Sequence, residues 1–195
     1  MRRQHDFYPT PEWATFELMK RVTIRGNVFE CCAGDGAIAK PLADERTFVY
    51  TGDIDPQWSP MICGDVLERQ FWADAEKRVN ADYDFDAGID WIVTNPPFNV
   101  AAQIVPIAFN HAAKGIAMLL RLSYLEPTED RGAWLNSHPP TDLIVLPRIS
   151  FTGNGKTDSV TCAWMVWRKQ CNTQRIAITG NPKFINSQSQ DALLA

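Results

Sequence analysis

The stretch "NVFECCAGDGAIAK" (27–40) decides how the rest of the chain is read. Its first six residues form a short apolar run suited to a buried strand, and "GAIAKPLADE" (36–45) has the composition of a helix. Gly34 and Gly36 lie at the junction, where glycine permits tight backbone geometry and close approach of a ligand. A strand, a glycine turn and a helix open a parallel βαβ unit.

Further apolar runs continue the alternation. "TFVYTGD" (47–53) and "MICGD" (61–65) read as the second and third strands, and "VLERQFWADAEKRV" (66–79) has helical spacing. "DWIVTN" (90–95) is a fourth strand, "VAAQIVPIAFNHAA" (100–113) a helix and "GIAMLLRLS" (115–123) a fifth strand. A short helix is expected within 128–137, then strands at "TDLIVLP" (141–147) and "VTCAWMVWRK" (160–169). The pattern predicts an α/β, Rossmann-like fold with a seven-stranded, mostly parallel sheet. Only "RISFTGNGKTDS" (148–159) joins the last two strands, a connection short enough for an antiparallel pair at one sheet edge. Residues 1–185 are expected to form one domain, with a polar, frayed tail at 186–195.

Composition narrows the function. Hydrophobic residues at 45% and aromatics at 11% exclude a largely disordered chain. Lacking an apolar h-region after "MRR" and any run long enough to span a bilayer, the chain is expected to be cytoplasmic, without a membrane partner. Five cysteines without a CxxC pair and three scattered histidines predict free thiols and no metal site. The net charge of −4 argues against a general polycation. Acidic residues outnumber basic ones 14 to 5 between Glu30 and Asp90, whereas basic residues lead 9 to 5 between Lys114 and Lys183. The basic C-terminal half points to a polyanionic partner.

Two carboxylates sharpen the glycine turn. Glu30 precedes it and could hold a ligand ammonium. Asp53, ending the next strand, is placed to accept hydrogen bonds from ribose hydroxyls, which argues for a nucleoside cofactor. Asp55 is an alternative ribose ligand. Asp53 is favoured because Ile54 would then follow it as an apolar plate for adenine.

"NPPF" (95–98) after the fourth strand, together with "ECCAGDG" (30–36), resembles the S-adenosylmethionine-dependent amino-methyltransferases. The likeness is greatest to the DNA adenine-N6 methyltransferases, whose motif reads D/N/S-P-P-Y/F/W, in their small phage and bacterial form. "FYPTP" (7–11), with Tyr8, Pro9, Thr10 and Pro11, resembles the segment that closes over the methionine end of the cofactor. "CGD" (63–65) resembles the third cofactor motif, in which Asp65 would contact adenine. The resemblance spans residues 7 to 168. It implies class I methyltransferase architecture, a cofactor site that also draws on Cys32, Ala33 and Asn95, and catalysis by Asn95, Pro96, Pro97 and Phe98.

The implied chemistry explains these residue types. An exocyclic purine amine is a poor nucleophile because its lone pair is delocalised into the ring. Accepting hydrogen bonds from both its protons, at the Asn95 side-chain oxygen and the Pro96 carbonyl, localises that pair for in-line attack on the sulfonium methyl. Prolines preorganise the acceptors, the same acceptors stabilise the charge appearing on nitrogen, and Phe98 offers a face to a flipped base. Cys31 and Cys32 have no part in this chemistry.

Cys31 stands where the family commonly has proline, and the chain has no obvious room for a separate target-recognition domain. DNA contacts are therefore expected from Arg148, Phe151 and Lys156 in the loop 147–159, and from Arg121 and Tyr124 after the fifth strand. Site choice would be short, relaxed or completed by a second copy in a homodimer. Open alternatives are N4-cytosine or RNA-adenine methylation, N5 methylation of a protein glutamine, and a binding module without turnover.

Overall fold

The computed structural model describes residues 9–149 and 160–180. Tyr8, Phe151, Lys156 and the 186–195 tail lie outside the described residues.

Eight strands form one sheet: β1 (Gly26–Glu30), β2 (Thr47–Asp53), β3 (Ile62–Cys63), β4 (Trp91–Thr94), β5 (Gly115–Arg121), β6 (Asp142–Val145), β7 (Cys162–Arg168) and β8 (Arg175–Ile178). Their order is β3-β2-β1-β4-β5-β7-β6-β8. β1 to β5 pair in parallel, β7 runs antiparallel to both β5 and β6, and β8 adds parallel to β6.

Successive residues of the central strands enter opposite cores. Val28, Trp91, Val93, Ala117 and Leu119 pack on one face, and Phe29, Ile92, Ile116 and Met118 on the other. Burial on both faces is why these strands read as unbroken apolar runs rather than alternating ones. The first face is covered by α1 (Glu12–Met19) and the region of α2 (Ala39–Leu42), the second by α3 (Arg69–Asn80), α4 (Ala101–His111) and Leu135 of α5 (Gly132–Ser137). Trp72, 1% exposed, anchors α3 through its edge-on contacts with Phe29 and Phe71. Burying one such side chain contributes roughly 2–3 kcal/mol.

Several expectations need correction. The sheet has eight strands, not seven: β8 is four residues long and exposed along most of its length, so it carries no burial signature. The antiparallel strand is not at the edge. β7 is inserted between β5 and β6, with two strands beyond it. The helix expected at 36–45 contracts to Ala39–Leu42, because the ring of Pro41 obstructs the carbonyl four residues earlier and prevents an earlier start. Residues 12–19, assigned no element from the pattern, form α1, which starts after Pro11 and is tied to β7 by Trp164 Nε1 donating to the Ala14 carbonyl at 2.7 Å.

Strand order reverses between β1 and β4, whose neighbours lead off in opposite directions. At such a switch point the connections diverge and leave a crevice outside the carboxyl ends of the strands. Glu30 is the last residue of β1, and Asn95 follows the last residue of β4. Topology thus brings the two motifs together across that crevice.

Candidate functional site

A cleft of about 890 Å³ opens there, lined by the glycine turn, the ends of β2 and β3, and Asn95. Pro9, Thr10, Glu30, Cys32, Ala33, Gly34, Asp53, Ile54, Asp65, Asn95 and Pro97 are on its walls. Gly36, between the lining residues Asp35 and Ala37, has φ +75°, and Gly34 has φ +51°, conformations that L side chains rarely adopt.

Glu30 is 1% exposed, and its Oε2 has no hydrogen-bond partner among the described residues. Burial pushes its carboxyl well above the usual value of 4.5, with the Ala39 amide opposing the shift and the charges of Asp35 and Asp53 adding to it. An orphaned buried carboxyl oxygen on a cleft wall is an open position for a cationic donor. Cys32 is also raised well above its ordinary value, first by its hydrogen bond with Cys31 and then by burial, so the thiol stays protonated and is no nucleophile.

Asp53 ties the cleft together. Its Oδ2 accepts from the Gly34 amide at 2.8 Å and its Oδ1 from the Asp55 amide at 2.9 Å, fixing the glycine turn to the end of β2. Each oxygen still has acceptor capacity for a ligand hydroxyl. Asp55 instead caps the short turn Pro56–Trp58, accepting from the Gln57 amide at 3.0 Å and from the Gln57 side chain. Ile54, 49% exposed, presents an apolar side chain to the cleft, and Trp58 lines it as well. Asp65 accepts from the Leu67 amide at 2.9 Å.

At the other end, Asn95 Nδ2 donates to Thr10 Oγ1 at 3.1 Å, joining residues 85 apart in sequence. Thr10 is buried, so this bond orients the amide from the N-terminal segment. Pro96 is buried. The Pro97 carbonyl accepts from the Val100 amide at 3.2 Å, turning the chain into α4, whereas none of the described residues donates to the carbonyl of Pro96. Phe98 packs partly buried against both cores, and the Arg121 guanidinium lies over its ring at 4.7 Å.

Not every candidate joins this constellation. Tyr124 is 7% exposed within the core, under Arg131, and burial raises its phenol above the ordinary range. It is placed as a packing residue, not at the cleft. Arg148 is exposed and also does not line it. Pro11 starts α1 and Gly36 supports the turn; neither touches the cleft. Trp58 and the Thr10–Asn95 bond were not anticipated. A tryptophan in a Pro-bounded turn directly after "GDID" is the signal that could have found Trp58.

Five carboxylates (Glu30, Asp35, Asp53, Asp55 and Asp65) line the cleft, and none of its described lining residues is Lys, Arg or His. Such a wall repels a pyrophosphate and attracts a ligand carrying positive charge.

No protein-family model matches the sequence, and no curated protein matches it. Solved structures share its architecture. A protein of Pyrococcus horikoshii assigned as an RNA methyltransferase superposes with a TM-score of 0.58 at 15% identity, over 84% of this chain and 87% of its own. A protein of Vibrio vulnificus assigned as the modification subunit of a type I restriction enzyme gives 0.55 at 11%, over 96% of this chain and 52% of its own. A Listeria monocytogenes protein assigned as a class I S-adenosylmethionine-dependent methyltransferase gives 0.53 at 10%, over 92% and 66%. The chain thus spans about half the length of the Vibrio protein. The fold is that of the class I methyltransferases. Among the described residues, no helix is long and apolar enough to cross a membrane.

Proposed function

We propose that this chain binds S-adenosylmethionine in the carboxylate-lined cleft and methylates an exocyclic nucleobase amine, N6 of adenine in DNA being the acceptor its motifs favour. One observation carries the reading: the orphaned Glu30 oxygen and the Thr10-oriented amide of Asn95 face one cleft that has no basic lining residue among those described. S-adenosylmethionine suits that wall because it is cationic at its ammonium and sulfonium, and when bound it supplies an electrophilic methyl group.

Each residue then has a role that follows from its position. Glu30 receives the ammonium. Asp53 accepts from the ribose hydroxyls, Asp55 being occupied by its turn, while Ile54 and Trp58 flank the adenine and Asp65 accepts from its amine. Pro9 and Thr10 close the methionine end. At the acceptor end, the Asn95 side-chain oxygen and the Pro96 carbonyl take one proton hydrogen bond each from the acceptor amine and hold its lone pair out of conjugation. Pro97 stiffens the turn, and Phe98 stacks the base.

The nucleic-acid acceptor is supported by Phe98, by the basic C-terminal half, and by the assignments of the Vibrio and Pyrococcus proteins. The second reading, a protein glutamine, draws on the same pair of acceptors, which suits any flat amide or amine.

The test supplies isotopically labelled S-adenosylmethionine with duplex DNA, single-stranded DNA, RNA and a mixed protein extract, followed by mass spectrometry of digested nucleosides and peptides. N6-methyladenine in DNA is the expected product. Label confined to glutamine would replace the acceptor, and no transfer to any of them by folded protein would sink the reading.

A further inference from the structure

We propose that Arg121 is a displaceable cover on the acceptor-stacking ring: it rests on Phe98 until a nucleobase arrives, then pairs with the phosphate beside that base. The inference rests on the nucleobase reading above and gives it a gate.

Arg121 is the last residue of β5, beside β4, whose end leads into Asn95–Phe98. Its side chain is exposed, and its guanidinium carbon lies 4.7 Å from the centroid of the Phe98 ring. A guanidinium is planar and stacks on aromatic faces as a base does. Two planes cannot occupy the same face, so a base that stacks where Arg121 lies must move it.

The partners of Arg121 explain why it can be moved. Other arginines are held in place: Arg131 donates to the carbonyls of Tyr124 and Ser123 at 2.7 and 2.9 Å, and Arg168 and Arg175 both clasp Asp142. Arg121 has no carboxylate within ion-pair distance among the described residues, and its side chain makes no hydrogen bond to them. Its one described side-chain contact is the ring. An exposed cation–π contact is weaker than a charge-assisted bidentate pair with phosphate, so arrival of a nucleotide favours exchange.

Charge placement agrees. The cofactor cleft presents carboxylates and repels phosphates, so the backbone of an incoming strand must be received outside it. Arg121 supplies, at the acceptor motif itself, a cation that makes no ion pair with the described residues.

The experiment compares the unaltered chain, Arg121→Ala and Arg121→Lys with two acceptors: a short single-stranded DNA containing adenine, and free adenosine, which has the base but no phosphate. Thermal melting checks that each variant is folded, and labelled S-adenosylmethionine reports transfer. For the oligonucleotide, Arg121→Ala is expected to raise KM at least tenfold with kcat within about threefold, and to flatten the salt dependence of binding by about one unit of log–log slope. Arg121→Lys keeps the charge and restores most of that slope. For adenosine, Arg121→Ala leaves KM unchanged or lowers it, because the guanidinium no longer competes with the base for the ring. Equal weakening of both acceptors would overturn the proposal, making Arg121 part of the base stack, and no change with either would make it a bystander. Wild-type transfer to glutamine alone would remove the nucleobase reading and this gate together, whereas oligonucleotide methylation unaffected by Arg121→Ala would remove only the gate.

Discussion

Glu30 and Asp142 are both acids sealed into the sheet, at 1% and 3% exposure, yet their surroundings are opposite. Asp142 begins β6 and is fully engaged. Arg168 of β7 donates to its two oxygens at 3.0 Å each, Arg175 of β8 donates at 2.7 Å, and Thr141 adds a hydroxyl at 2.9 Å. Glu30 ends β1 with one oxygen that no described residue partners, and the charges of Asp35 and Asp53 act against its ionisation. Burial alone therefore does not separate structural acids from functional ones; satisfaction does. Asp142 sews three strands together, and Glu30 presents an unpartnered oxygen to the cleft.

That contrast can be broken from either side. The largest effect is expected at the satisfied acid. Asp142→Ala leaves the guanidiniums of β7 and β8 facing each other across β6, and both are partly exposed, so the loss is about 3 kcal/mol, at the low end for a broken buried pair. In a thermal melt this is a fall of roughly 6–12 °C. Asn95→Ala should leave the melt nearly unchanged while lowering kcat by at least about 100-fold, as loss of a preorganised acceptor does. Glu30→Gln should change stability by less than about 1 kcal/mol and weaken S-adenosylmethionine binding at least tenfold, a reading taken by calorimetry, since hydrogen bonds to charged groups contribute about 1.5–3 kcal/mol.

The pH dependence of stability reports on Glu30. The Glu30 carboxyl is raised above 4.5, so the native state keeps a proton that the unfolded chain releases. Its contribution is complete at low pH and is lost as pH climbs from about 4.5 through the raised native value. Urea unfolding at a series of pH values should show this decline in the unaltered chain and not in Glu30→Gln, and an ammonium-bearing ligand should flatten it. The smallest effect belongs to the turn. A Cβ on Gly36 would meet only Lys40 Cε at 3.7 Å, so Gly36→Ala costs the backbone strain of φ +75° alone, about 1 kcal/mol by chemical denaturation.

Much of this was legible in the chain. Seven strands announced themselves because burial on two faces leaves continuous apolar runs, and the glycine turn and Asn-Pro-Pro-Phe marked where two of them end. α1 did not, because the apolar residues of "EWATFELM" are spread around the helix rather than gathered into one stripe. β8 did not, because Ile176 and Ile178 stand 75% and 80% exposed and no periodicity accompanies them. The position of β7 between β5 and β6 depends on connection geometry that no local pattern encodes. The same holds for Thr10 meeting Asn95 and for Arg121 lying on Phe98: each partner is visible in the sequence, but the pairing exists only once the strands are ordered. The unpartnered oxygen of Glu30 is of this kind too, since sequence offers the acid and only packing reveals that no described residue answers it.

The central claim is that Glu30 receives the ammonium of S-adenosylmethionine, and calorimetric titration of that compound into the unaltered chain, Glu30→Gln and Asp142→Asn at pH 7 tests it most directly. The account predicts saturable binding to the unaltered chain, at least tenfold weaker binding to Glu30→Gln, and unchanged affinity in whatever fraction of Asp142→Asn remains folded. Equal affinity in the Glu30 variant, or no binding by the folded unaltered chain, would contradict it.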